Sequence, residues 1–151
     1  MKNTVLCYIE NDGKYLMLYR NAKKNDANGG KWVGVGGHIE ENESPDEALY
    51  REVKEETGLT LTSYRFKGVV TFVSDTWEGE YMYLYVADGF SGQLTDCNEG
   101  ELHWIDKDEI MSLPMWKGDA VFLSHLLQGV EGTLMLKLVY CGEELVSAEK
   151  Y

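Results

Sequence analysis

The sequence predicts an α/β fold in which helices flank a mixed β-sheet, built by residues 1–151 as one domain. Three observations lead there. Short runs rich in Val, Leu, Tyr and Phe recur along the chain, separated by turns containing Gly, Asn and Asp. A strongly capped helix from Ser44 to Gly58 interrupts these runs, and shorter helical stretches follow Ile105. The chain has 151 residues and 44% hydrophobic content, enough for a core and too much for a disordered segment.

Thr4 to Glu10 and Lys14 to Arg20 read as two strands around an Asn11-Asp12-Gly13 turn. Lys23 to Gly30 is polar and reads as an exposed loop. Gly29 to Gly37 reads as a glycine-rich loop, with Gly34, Gly36 and Gly37 allowing positive φ or close backbone approach. Phe66 to Ser74 and Glu80 to Asp88 read as a hairpin across Asp75 to Gly79. In the second of these strands Tyr81, Tyr83 and Tyr85 alternate with Met82, Leu84 and Val86, so both faces are expected to be covered. Glu101 to Ile105 reads as a short strand, Asp106 to Leu113 as a short helix stopped by Pro114, and Asp119 to Gln128 as a helix closed by Gly129. Thr133 to Tyr140 and Glu144 to Val146 read as the last strand pair. There is no repeat, linker or low-complexity stretch.

The helix of Pro45 to Thr57 has the strongest local signals. Ser44 is a natural N-cap, Pro45 suits the first helical position, Glu47 completes a capping box, and Gly58 suits the residue past the end. Glu52, Glu55 and Glu56 stand three and four residues apart and crowd one face, with Leu49 and Val53 on the adjoining face to bury against a sheet. Like charges this close raise one another's pKa unless a cation compensates. Hard carboxylate oxygens suit Mg²⁺ or Mn²⁺. Arg51, one turn from both Glu47 and Glu55, can orient the face from behind. The competing reading is a solvated acidic helix face.

Composition narrows the partners. A formal net charge of −12 excludes broad binding to nucleic acid or an anionic membrane, but admits a small anionic nucleotide when bound cations reverse the local charge. Cys7, Cys97 and Cys141 form no zinc spacing or disulfide framework, which implies reduced thiols and a cytoplasmic protein. No stretch resembles a signal peptide or a membrane span. Oligomeric state is left open.

Gly37, five residues, Glu43, seven residues, then Arg51-Glu52-Val53-Lys54-Glu55-Glu56-Thr57-Gly58-Leu59 matches the Nudix box at every defined position. The chain thereby resembles the Nudix hydrolases, whose fold is an α/β/α sandwich around a mixed sheet. The stretch from Gly30 to Gly37, the Pro114-Met115-Trp116 segment with Asp119 after it, and the closing strands resemble the MutT-like branch, in particular the animal oxidised-purine nucleoside triphosphatases that hydrolyse 8-oxo-dGTP.

The resemblance implies catalytic metal on Glu52, Glu55 and Glu56, with the Gly37 carbonyl as a further ligand and Arg51 and Glu43 as supports. It implies that Glu99 is another metal ligand or base, against the plain reading of a loop acid. It further implies a base pocket with Trp116 stacking on a purine and Asp119 bonding the base edge, lined by Trp32, Phe72 and Tyr81. Core packing competes for the aromatics, and a helix N-cap competes for Asp119. Val33 stands where those relatives have an asparagine, and Gly118-Asp119 where they have two aspartates. The expected reaction is Mg²⁺-dependent cleavage of a nucleoside triphosphate to the monophosphate and pyrophosphate. The alternatives are another substrate, such as ADP-ribose, a dinucleoside polyphosphate or a nucleotide sugar, or a non-catalytic nucleotide sensor on the same fold. The proline that marks ADP-ribose selectivity past the box is absent, since the chain has only Pro45 and Pro114.

Overall fold

The computed structural model describes residues 1–21 and 26–151, so the polar loop expected from Lys23 to Gly30 lies partly outside the described residues. The strands are β1 (Lys2–Asn11), β2 (Lys14–Arg20), β3 (Trp32–Val33), β4 (Val35–His38), β5 (Thr60–Ser74), β6 (Glu80–Ser91), β7 (Gly100–Asp106), β8 (Leu134–Cys141) and β9 (Glu144–Lys150). The helices are α1 (Pro45–Thr57) and α2 (Lys117–Leu127), with a 3₁₀ turn at Lys107–Ser112. Strand order is β3-β2-β1-β6-β5-β8-β9, with β4 also on β1 and β7 also on β2. The β1/β6 and β5/β8 pairs are parallel and the others antiparallel, which makes the sheet mixed as expected.

Side-chain alternation on the central strands creates two cores. Val5, Cys7 and Ile9 of β1 and Tyr85 and Ala87 of β6 pack with Ala48, Leu49 and Val53 of α1. Tyr8 of β1 and Leu84 and Val86 of β6 pack with Phe122 and Leu123 of α2 and with Leu136 and Leu138 of β8. Helices therefore cover opposite faces, and β6 is covered on both, as its run of apolar residues implies. Complete burial of Leu49 and Val53 stabilises the α1 contact by about 1.5–3 kcal/mol each, and a charge at either position would break it.

Helix α1 runs from Pro45 to Thr57 as its signals dictate. Glu47 N–H donates to Ser44 Oγ at 3.0 Å, Ser44 N–H donates to Glu47 Oε1 at 3.0 Å, and Gly58 closes the helix at φ 82°. Of the two carboxylates one turn from Arg51, it holds Glu55, while Glu47 is committed to the cap.

Several boundaries differ from expectation. The glycine-rich stretch is two short strands interrupted at Gly34, with Gly36 opposite Leu6 and Gly37 opposite Val5 of β1. A Cβ on Gly36 would collide with the Val5 carbonyl, so glycine there permits strand pairing rather than a loop. Strand β5 begins at Thr60, and its register shifts around Leu61–Tyr64 and Phe66–Gly68 disturb the period-2 pattern that marks a strand in sequence. The helix expected from Asp106 is a 3₁₀ turn. Helix α2 starts at Lys117, so Asp119 lies inside the first turn and is not the N-cap. Strand β9 continues beyond Val146 to Lys150. Among the described residues no helix is long and apolar enough to cross a membrane.

Candidate active site

A cleft of about 530 Å³ opens where the N-terminal halves of β1 and β6 meet β4, the end of α1 and the start of α2. Acidic groups line one end and aromatic groups the other.

At the acidic end, α1 presents Glu52 and Glu56, both in the cleft wall, while β4 presents its backbone beside them. Gly36 N–H donates to Glu56 Oε1 at 3.2 Å. The Glu52 carboxylate lies so close over Gly37 that a Cβ there would come within 2.5 and 2.6 Å of its oxygens. Arg51 ties the assembly together from behind. Its Nε and Nη2 donate to the two oxygens of Glu43 at 2.8 and 2.9 Å, Nη2 also to the His38 carbonyl at 2.9 Å, and Nη1 to Glu52 at 2.8 Å and Glu55 at 3.3 Å. These bonds drop Glu43 to about 2. Glu55 stays on the exposed flank, outside the cleft wall.

Glu99 arrives from the β6–β7 connection, and Arg20 Nη1 donates to it at 3.1 Å. Donor atoms of Glu56, Cys97 and Glu99 all lie within 4.8 Å of one another. Burial, then the charges of Glu99 and Glu52, push Glu56 up to about 8. Burial likewise raises Glu52, against the pull of Arg51. Carboxylates crowded at this cost fit a divalent cation, which Glu56 and Glu99, with Glu52 in the same cleft wall, could hold through oxygen beside the β4 backbone.

The aromatic end is walled by Phe72 of β5 and Trp116, which meet edge to face with centroids 5.7 Å apart. Trp116 is 6% exposed and donates its Nε1–H to Asn28 at 2.9 Å, with Lys31 Nζ 4.6 Å from its ring centre. Asp119 closes the cleft floor at 8% exposure, with no side-chain hydrogen bond among the described residues. Burial and then the nearby Glu80 charge push it up to about 7, against the pull of Lys31. Thr4 Oγ1, buried in the same wall, also lacks a partner among the described residues.

Two expected lining residues sit elsewhere. Trp32 packs against Tyr19 and His103, with centroids 5.2 and 5.7 Å away, and its neighbour Val33 takes the place in the wall. Tyr81 is 41% exposed on the face of β6 opposite the cleft, where the alternation instead turns Glu80 and Met82 inward. Sequence reasoning missed Thr4, Arg20, Glu80 and Cys97. The period-2 pattern of β1 and β6 carried the signal for Thr4 and Glu80, but choosing the face requires knowing where α1 packs.

The NUDIX domain family matches residues 1–126. The chain belongs to the Nudix family, and its class is that of hydrolases acting on nucleoside diphosphate derivatives. It is 35% identical over 147 residues to an uncharacterized Nudix hydrolase, YvcI, of Bacillus subtilis, covering 93% of this chain and 89% of that one. It is 30% identical over 129 residues to an oxidized purine nucleoside triphosphate hydrolase of Danio rerio, covering 84% and 80% of the two chains. The MutT protein from Bacillus halodurans has the same fold, with a TM-score of 0.88 at 28% identity, covering 99% of this chain and 97% of that one.

Proposed function

We propose that this chain is a Mg²⁺-dependent nucleoside triphosphate pyrophosphohydrolase, with Mn²⁺ as an alternative ion, releasing a nucleoside monophosphate and pyrophosphate. The observation that carries the reading is the joining of the carboxylate cluster and the aromatic, carboxyl-floored pocket in one cleft. A phosphate chain and a base then have separate places at its two ends.

A divalent cation at Glu52, Glu56 and Glu99 supplies charge neutralisation for the phosphates and a more acidic bound water. This chain's residues do the rest. Arg51 fixes the Glu52 carboxylate, and the Gly36 N–H fixes that of Glu56. A free carboxylate of the cluster takes the proton of the attacking water, and neighbouring carboxylates share that titration. Arg20, already paired with Glu99, stands where it can meet phosphate oxygens. Glu55 stays on the exposed flank beside Arg51, outside the cleft wall, so its catalytic part would need the bound cation to reach past the wall.

For the base, Phe72 and Trp116 form a sequence-tolerant stacking surface, and Asp119 offers a carboxyl that is neutral below about 7 and can donate as well as accept. A side chain at 118 would collide with Leu138 and Tyr140, and Tyr140 Oη accepts the Gly118 N–H at 2.7 Å. A second carboxyl beside Asp119 therefore has no room. Val33 adds no polar group to the wall. Within the pocket, the polar reading of the base in 8-oxo-dGTP, and with it a role in sanitising the nucleotide pool, falls to Asp119. The likeness to the Danio rerio enzyme supports that substrate.

The test is a steady-state panel with Mg²⁺: 8-oxo-dGTP, the four ordinary dNTPs, ADP-ribose and a diadenosine polyphosphate, compared by kcat/KM. Preference for 8-oxo-dGTP supports the sanitation reading. A flat dNTP profile removes it and keeps triphosphate cleavage. Preference for ADP-ribose or the dinucleotide moves the chain to another Nudix substrate. Binding without hydrolysis of any compound makes it a sensor.

A further inference from the structure

We infer that Cys97 is a metal ligand in this chain and gives the acidic site an affinity for thiophilic divalent cations that carboxylates alone would not provide. The inference rests on the reading of Glu52, Glu56 and Glu99 as a divalent-metal site.

The position of Cys97 is built in by three contacts. The connection from β6 to β7 is held to the end of α1 by Thr95 N–H donating to the Thr57 carbonyl at 2.9 Å. It packs against Gly58, where an added Cβ would come within 2.8 Å of Gln93 O and of Thr95 Cγ2. Two residues on, Cys97 forms an antiparallel bridge with Gly100, and Gly100 pairs with Arg20 at the start of β7. The segment is thus fixed on both sides and sets the Cys97 thiol over the last turn of α1.

Cys97 Sγ and one carboxylate oxygen each of Glu56 and Glu99 lie within 4.8 Å of one another. Among the described residues this is the one such trio. Glu56, the buried member of the trio at 8% exposure, has one oxygen held by Gly36 N–H. Donor atoms at that separation can share one ion with modest closure. A thiolate with two carboxylates suits Cd²⁺, Zn²⁺ or Co²⁺, whereas Mg²⁺ binds through oxygen and water. On binding the softer ion, the thiol gives up its proton to solvent and a sulfur–metal bond forms.

The test uses the full chain without nucleotide, carrying Cys141→Ser, because the exposed Cys141 lies beside Asp75 and would add background. Cd²⁺ is titrated while the ultraviolet sulfur-to-metal charge-transfer band is recorded, and Mg²⁺ binding is measured by calorimetry. The expected result is a stoichiometric band that Cys97→Ser abolishes, with Cd²⁺ affinity falling at least tenfold and Mg²⁺ affinity changing less than twofold. Mg²⁺ binding with no charge-transfer band, or an equal band in Cys97→Ser, overturns the role of Cys97 and leaves the carboxylate site intact. No binding of either ion overturns both.

Discussion

Replacing Glu56 by glutamine is expected to stabilise the metal-free protein above neutral pH. Glutamine keeps the shape and the acceptor for Gly36 N–H, so the change removes only the charge. Burial, Glu99 and Glu52 lift Glu56 from 4.5 to about 8. The folded protein therefore holds this proton through a range where the unfolded chain has lost it, and stability falls with rising pH between those values. Below 4.5 the carboxyl is neutral in both states and the penalty is absent; above 8 it is complete. A shift of this size corresponds to roughly 5 kcal/mol as an upper bound, and sharing of charge with Glu52 and Glu99 brings the expected effect nearer ~2 kcal/mol. Urea unfolding in EDTA at pH 4.5 and pH 9 measures it. Glu56→Gln should match the parent within about 0.5 kcal/mol at pH 4.5 and exceed it by ~2 kcal/mol at pH 9. Saturating Mg²⁺ should stabilise the parent strongly at pH 9 and the variant little. A difference that is the same at both pH values would refute the argument that burial and like charge strain this carboxylate.

Gly37→Ala should leave stability within about 1 kcal/mol, because the atoms nearest its Cβ belong to the movable Glu52 side chain, yet lower kcat more than tenfold by displacing that carboxylate. Gly36→Ala should cost more than about 2 kcal/mol in urea unfolding, since its Cβ meets the β1 backbone instead. Arg51→Lys keeps the charge and loses the paired contacts to Glu43, so it should lower stability by about 1–3 kcal/mol and reduce kcat with little change in KM. For Asp119, nucleotide affinity should weaken as pH rises through about 7, where its carboxyl ionises. Asp119→Asn should flatten that step, and KM measured from pH 6 to 8.5 checks it.

Legibility differed between the two ends of the cleft. The acidic end is largely local: Arg51, Glu52 and Glu56 share one helix whose start, end and facing follow from Ser44, Glu47 and Gly58 and from the apolar Leu49 and Val53. At the aromatic end Phe72 and Trp116 reach the wall, while Trp32 and Tyr81 do not. Aromatic residues serve core, surface and pocket alike, so their type says little about place. In sequence Glu80 is only the start of a strand; the pairing of β6 with β1 turns it inward with Thr4 and Met82.

The Nudix box was determined by sequence alone, because helix periodicity and capping act over a few residues and fix which carboxylates share a face. The α/β class likewise followed from the order of strand and helix patterns. Tertiary structure decided what faces those carboxylates. Glu99 and Cys97 meet Glu56 only because the β6–β7 connection docks on the end of α1 and pairs into β7. Trp116 and Asp119 line the same cleft as Thr4 because α2 packs on the face of β1 that carries Thr4 and Tyr8. Convergence of residues distant in the chain depends on register and packing over the whole sheet, which no short window of sequence contains.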